Sequence, residues 1–487
     1  MDNDIKSLNP QAVWKRFAEI CAIPHTSGKE EKIREYIIDI ARSKNLNYRT
    51  DANGNLLIEK RASKGKEQLK CVILQAHLDM VWQKMDGDVF GQEDDPVEAI
   101  IDNGWVRADK TSLGADNGIG VAAALAILES EDIEHGPLEF LFTVNDENCH
   151  TGAYGLGNDF LSGDILINLD MKHEGELCVG CAGGVEMTAT FKYTEDRNKY
   201  REYEAIRIDI MGLKGGHSGY SIGLQRANAI KILFRFLYLA MKHFDLKIGF
   251  VDGGGVQNAI PREATAVVCV PREMTEDFLY GLEQFENIIV KEYEGIEENI
   301  SIKGCSCDIP ESTWDKRTMS HVIYAVCGCP NGVIKMSPDT PALVQTSSNL
   351  SSIFSYNSQI VVQSLLRSSS DSEREALVNA MSSVFELAGA KVYLDNAYDG
   401  WSHDPDSEIY KIMDSVYMEL FGHSPQASRI HAGLECAIIG RKYPKMDIIS
   451  CGPTIKEAHS PYEKVKIDSV FKFWELLKNT LSKIPSK

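Results

Sequence analysis

Four short, continuously apolar stretches of this chain run directly into residue types that bind cations. CVILQ (71–75) is followed by Ala76-His77-Leu78-Asp79, LEFLFTV (138–144) by Asn145-Asp146-Glu147, ILINL (165–169) by Asp170, and DIISC (447–451) by a loop holding Glu457 and His459. A further acid, Asp116, lies in the Gly-containing segment 112–118, ahead of the helical run GIGVAAALAIL (118–128). Two imidazoles and three carboxylates at one edge suit a pair of divalent ions sharing a carboxylate bridge. Singly, each has an ordinary explanation. His-x-Asp after a strand is more often a hydrogen-bonded surface pair, an acid at a helix N-terminus is favourable without a ligand, and Asp170 can cap a loop. Those separate explanations do not predict that all four buried runs end in Asp, Glu or His.

Continuous apolar runs of this length mark strands buried on both faces, and open α/β sheets carry their ligands at the carboxyl ends of such strands. Around them, 11–22 places Val13, Trp14, Phe17, Ile20 and Cys21 on one helical stripe. A second helix is expected behind a Ser27-Gly28-Lys29-Glu30 capping box, with Ile33, Tyr36, Ile37 and Ile40 inward. HAGLECAIIG (431–440) also has helical length and composition. From about 187 to 400 the pattern changes: strands such as EAIRIDIMGL and SQIVVQSLLRS alternate polar and apolar residues between amphipathic helices at 226–243 and 273–293. The expected fold is therefore α/β, a mixed, mostly parallel sheet sandwiched by helices, formed by 1–186 and 401–487 and interrupted by an α+β insert over 187–400. That insert is about twice as long as one small α+β layer requires, room for two.

The 487 residues are 43% hydrophobic, 25% charged and 8% aromatic, an ordinary globular composition. A net charge of −20 repels phosphate backbones and anionic membranes, so neither nucleic acid nor membrane is an expected partner. No apolar run approaches the roughly 20 residues that span a bilayer, and MDNDIKSLNP lacks the pattern of a secretory leader, so a cytoplasmic location is expected. The twelve cysteines are expected to be mostly reduced and buried; Cys305/Cys307 and Cys327/Cys329 have C-x-C spacing, a weak metal signal on its own.

Eight segments together carry a family resemblance. They are His77-Leu78-Asp79-Met80-Val81, Leu113-Gly114-Ala115-Asp116-Asn117-Gly118-Ile119-Gly120, the acidic pair 146–147 before Gly152-Ala153, and Asn168-Leu169-Asp170. Further along are Gly215-Gly216-His217-Ser218-Gly219, Asn258-Ala259-Ile260-Pro261-Arg262-Glu263-Ala264, His431-Ala432-Gly433-Leu434-Glu435-Cys436, and Gly452-Pro453-Thr454 through His459-Ser460-Pro461. In this order, over nearly the whole chain, they resemble the aminoacyl-histidine (Xaa-His, carnosinase-like) dipeptidases, di-zinc metallopeptidases with a zinc-exopeptidase-like catalytic domain and an inserted lid.

The resemblance implies two divalent ions, zinc by default, with cobalt or manganese compatible with the same ligands. His77, Asp116 and Asp170 would hold one and Asp116, Glu147 and His459 the other, and Asp79 would orient His77. The ions would polarise the scissile carbonyl and yield a bridging hydroxide. His217 would stabilise the oxyanion from the lid, and Asn258 would contact the substrate. For the substrate carboxylate a guanidinium is expected, Arg367 first and Arg262 second. The family carries Glu-Glu where this chain has Asp146-Glu147, followed by Asn148-Cys149 in place of x-Gly. Counting back from Gly152 puts Asp146 at the general base, with a carboxylate set back about 1.5 Å, and misplacement on the order of 1 Å can cost ~100-fold in rate. Of the other histidines, expected to be surface or structural, His150 is near enough to that motif to share in proton transfer. His431 and Glu435 read equally as packing groups or as supports of the site. The implied activity is hydrolysis of dipeptides such as carnosine, with a small peptide as partner and a homodimer left open. A weakened homologue that binds a peptide-like ligand, and an amidohydrolase of acylated amino acids, remain alternatives at this point.

Overall fold

The computed structural model describes residues 4–84, 95–147, 150–197, 201–338, 340–401, 404 and 406–487. Asn148 and Cys149, part of the altered acidic motif, lie outside the described residues. The chain divides into two compact units: 1–180 with 401–429 and 434–487, and 181–400 with 430–433. The second begins at Cys181, ahead of the expected residue 187, because the long strand Gly183–Lys192 already belongs to its sheet.

The first unit is built on an eight-stranded sheet in the order Asn47–Thr50, Leu56–Lys60, Leu138–Thr143, Val72–His77, Ile165–Asn168, Asp447–Ser450, Glu176–Cys181, Gln426–Ile430. The four strands from Leu138–Thr143 to Asp447–Ser450 are mutually parallel, and antiparallel pairings flank them, so the sheet is mixed. Every residue of Val72–His77 and Leu138–Thr143 is buried, the burial expected of central parallel strands. The helix Ala115–Glu129 is apolar on all sides and packs against both Gln11–Cys21 and the Val72–His77 strand. Its small residues permit close approach: a Cβ on Gly118 would lie 3.1 Å from the Phe17 ring. Lys60 Nζ donates to the carbonyls of Ile127 and Ser130 (2.8 and 2.7 Å), placing a cation at the negative end of that helix.

Two local expectations are corrected. The second helix starts at Glu31, and Ser27 and Glu30 do not form a capping box; both are drawn into contacts with the loops described below. His431–Leu434 is not helical either: a strand ends at Ile430 and the helix runs Glu435–Lys442.

The second unit is a nine-stranded antiparallel sheet with its own apolar core. Tyr203–Met211, helix Ala229–His243, Lys247–Gly254, Ala264–Pro271, helix Thr275–Glu292 and Ser301–Cys307 make one βαββαβ layer. Gly183–Lys192, helix Lys316–Gly328, Val344–Tyr356, Gln359–Ser368, helix Asp371–Leu387 and Lys391–Tyr398 make another with the same strand order. The first layer is inserted between the opening strand and first helix of the second. The two join through their equivalent strands, Asp252 pairing with Phe354 and Gly254 with Ser352.

Candidate active site

Within the first unit the carboxyl ends of the parallel strands bring six of the sequence-derived residues together. His77 closes its strand, and its Nε2 lies 3.5 Å from Asp116 Oδ1, 3.6 Å from Asp170 Oδ1, 3.8 Å from Asp146 Oδ2 and 4.0 Å from Glu147 Oε1. His459 Nε2 is 2.8 Å from Glu147 Oε1 and 3.0 Å from Asp116 Oδ2. Asp116 therefore touches both imidazoles, one through each oxygen. Two sets have converging ligand atoms, His77 with Asp146 and Asp170, and His77 with Asp116 and Glu147.

Charged and polar groups behind this cluster fix it. Asp79 Oδ1 accepts the Asp146 N–H at 2.9 Å, and Oδ2 accepts the Glu147 N–H at 3.1 Å and the Ser27 hydroxyl at 2.7 Å. Asp79 thus anchors the backbone of the acidic pair, while His77 Nδ1 faces its carbonyl at 3.0 Å and its Oδ1 at 3.4 Å. Glu30 accepts the Asn145 N–H at 2.9 Å. Glu463 accepts N–H bonds from Leu113, Gly114 and Asp116 (2.8, 2.9 and 3.1 Å), gathering the loop around the bridging acid; Gly114 there has φ +71°, a conformation that favours glycine. Glu435 accepts the Thr143 hydroxyl and a Gln75 amide N–H, both at 2.6 Å. The sequence pointed to Ser27 and Glu30 only as a helix cap, and Glu463 was not among the residues it singled out. Lys172 is a further addition, its Nζ 2.8 Å from Asp116 Oδ2, and His150, noted in the sequence for its nearness to the acidic motif, has its Nδ1 2.8 Å from Asp146 Oδ1. Lys172 stands two residues beyond Asp170, a spacing that could have pointed to it.

Burial alone would lower the His77 and His459 pKa values, but the charge of Asp146 on the first and of Glu147 on the second, with the carboxylate contacts, raise both well above the ordinary imidazole value. Burial pushes Asp170 up to about 6 and, helped by the Asp146 charge, Glu435 up to about 8. Four acids in one water-poor spot are costly unless cations neutralise them. His77 Nε2 and Asp116 Oδ1, both buried, have no hydrogen-bond partner among the described residues. Carboxylates and imidazoles with such orphaned lone pairs fit divalent metal ions.

The second unit holds the remaining sequence-derived residues. Gly216–His217 pairs with Ala259–Ile260, and the Asn258 carbonyl accepts the Ser218 N–H at 2.7 Å, so His217 and Asn258 share one small two-stranded element. His217 Nδ1 accepts N–H bonds from Gly219 and Tyr220 (3.0 and 3.3 Å), which puts the ring proton of the neutral imidazole on Nε2. Arg367 is buried. Its Nη1 donates to the Tyr398 hydroxyl at 2.6 Å, its Nε has no partner, and no carboxylate pairs with it among the described residues. His431, pressed down to about 3 by burial and by the Arg367 charge, is a neutral imidazole bonded to the Ser347 hydroxyl at 2.7 Å. Arg262 is exposed. Cys305 is exposed and Cys307 and Cys327 half-buried, and no His/Cys/Asp/Glu group with converging ligand atoms includes them among the described residues.

The sequence pattern of peptidase family M20/M25/M40 matches residues 73–483. Over 486 residues, all of both chains, the sequence is 40% identical to the cytosol non-specific dipeptidase of Escherichia coli K12. The aminoacylhistidine dipeptidase of Vibrio alginolyticus superposes with a TM-score of 0.80 at 41% identity, covering 100% of this chain and 99% of that one. Human carnosine dipeptidase 1 shares the fold, with a TM-score of 0.53 at 13% identity over 97% and 95% of the two chains. The chain belongs to peptidase family M20/M25/M40 and is a metallopeptidase that hydrolyses peptide bonds.

Proposed function

We propose that the protein cleaves unblocked dipeptides, Xaa-His compounds such as carnosine among them, with two divalent metal ions, zinc by default. The observation that carries this reading is the buried His77/Asp116/Asp146/Glu147/Asp170/His459 cluster with its orphaned His77 Nε2 and Asp116 Oδ1, on a chain alike over its whole length to a dipeptidase. His77, Asp116 and Asp170 would hold one ion, and Asp116, Glu147 and His459 the other. Bound there, the ions supply Lewis-acid polarisation of a carbonyl and a counter-charge for the oxygen that becomes negative. Asp79 orients His77 and the acidic pair. Asp146 takes a proton from the attacking water and returns it to the leaving amine nitrogen. His217, protonated on Nε2, donates to the oxyanion. Asn258 contacts the substrate, and Arg367, a buried cation that no carboxylate pairs with among the described residues, takes the substrate carboxylate. Arg262, being exposed, is the weaker candidate. A cytosolic location is supported by the name of the Escherichia coli relative, and among the described residues no helix is long and apolar enough to cross a membrane.

The test is hydrolysis of carnosine, Gly-His and N-acetylcarnosine by metal-stripped protein titrated with zinc, cobalt or manganese, with His77→Ala as control. Metal-dependent cleavage of the free dipeptides alone, abolished in His77→Ala, is expected. Equal cleavage of N-acetylcarnosine would overturn the dipeptide preference.

A further inference from the structure

We propose that His150 is a positioning residue for Asp146: its ring N–H holds one carboxylate oxygen so that the other is turned toward His77, which lets a side chain one methylene shorter than glutamate serve as the base. The inference rests on the reading of Asp146 as the base.

His150 Nδ1 lies 2.8 Å from Asp146 Oδ1, and Asp146 Oδ2 is 3.8 Å from His77 Nε2. A carboxylate can only accept, so the ring nitrogen is the donor and the bond is charge-assisted. The terminal torsion of an aspartate is broad and roughly two-fold, so without a lateral partner the two oxygens exchange freely. The bond to His150 removes that freedom. His150 is itself held: its N–H donates to the Asp146 carbonyl at 3.1 Å, its carbonyl accepts from the Tyr154 N–H at 3.1 Å, and the Gly152 N–H donates to the Val144 carbonyl at 3.2 Å. Gly152 allows this tight closure, since a Cβ there would stand 2.3 Å from the Val144 oxygen. On the other side Asp79 fixes the Asp146 N–H at 2.9 Å. Backbone and carboxylate of Asp146 are thus pinned from opposite directions, and the pair is mostly shielded, with 11% of the Asp146 side chain and 22% of the His150 side chain exposed.

Zinc-loaded protein assayed with Gly-His tests this. In His150→Ala, kcat should fall about 10- to 100-fold with KM and bound zinc unchanged, the size of loss that a misplaced catalytic group produces. His150→Asn, whose amide nitrogen occupies the place of Nδ1, should stay within about three-fold of wild type. A glutamate reaches further, so His150→Ala placed on Asp146→Glu should cost less than about three-fold relative to Asp146→Glu alone. An equal loss in both backgrounds, a loss seen in KM instead of kcat, or a His150→Asn as slow as His150→Ala would overturn the positioning role. Asp146→Asn separates the two claims. If it stays active, the assignment of the base fails and the inference with it; if it is inactive while His150→Ala is fast, only the role of His150 fails.

Discussion

In the unit built on the parallel sheet, Asp116, Asp146, Glu147 and Asp170 crowd around two imidazoles, with Lys172 as the cation on Asp116. The buried groups of the antiparallel unit include a guanidinium that no carboxylate pairs with among the described residues, a neutral imidazole on a serine, and hydroxyl-bearing strands. The first assembly concentrates negative charge, and the second holds a buried positive charge at Arg367. The difference follows from sheet type. Parallel strands end together at one edge and stack the acids that terminate them, whereas antiparallel strands present side chains along their length, as with Ser347 opposite Arg367.

The contrast breaks first at the bridging acid. Asp116→Ala should lower dipeptide turnover by about a thousand-fold or more and reduce bound zinc, measured by kinetics and elemental analysis together; full activity with no metal would remove the cationic half of the comparison. Arg367→Ala should come next, raising KM for free-carboxylate dipeptides roughly 10- to 100-fold while leaving their C-terminal amides unaffected, with Arg262→Ala changing either by less than about three-fold. A loss of equal size on the amides would break the anionic half. Lys172→Gln sharpens the comparison from the other side: with the ammonium gone from Asp116, chelator competition should show zinc held on the order of ten-fold more tightly.

The smallest effect concerns Glu435. Its pKa in the folded protein, about 8, exceeds the ordinary 4.5, so the fold holds a proton that the unfolded chain releases. Its stabilising contribution is complete below the ordinary value and is lost as pH rises through about 8. Metal-free wild type should therefore lose a few degrees more of Tm than Glu435→Gln between about pH 5 and pH 8. Parallel pH profiles for the two would show that Glu435 ionises normally.

The cluster of acids and imidazoles was legible because most of its members follow strands whose continuous apolarity announces them, as with His77 after CVILQ and Asp170 after ILINL. The groups that hold the cluster were not. Ser27 and Glu30 spell a helix cap locally, yet the Ser27 hydroxyl bonds to Asp79, 52 residues away, and Glu30 serves Asn145, 115 residues away. Glu463 reaches the Asp116 loop across 347 residues, with no spacing to betray it. HAGL imitates a helix in composition, but it forms the bend between the strand that ends at Ile430 and the helix that starts at Glu435.

Composition and periodicity by themselves determined the sheet class and the acids and imidazoles that follow the buried strands, because burial of apolar runs is a local property of sequence. Only the tertiary structure decided that Asp116 touches both imidazoles, that His150 grips the Asp146 carboxylate and that Arg367 is buried without an acid. These are contacts between side chains brought together by strand order and loop closure, and their energies depend on burial that no single segment carries in its own sequence.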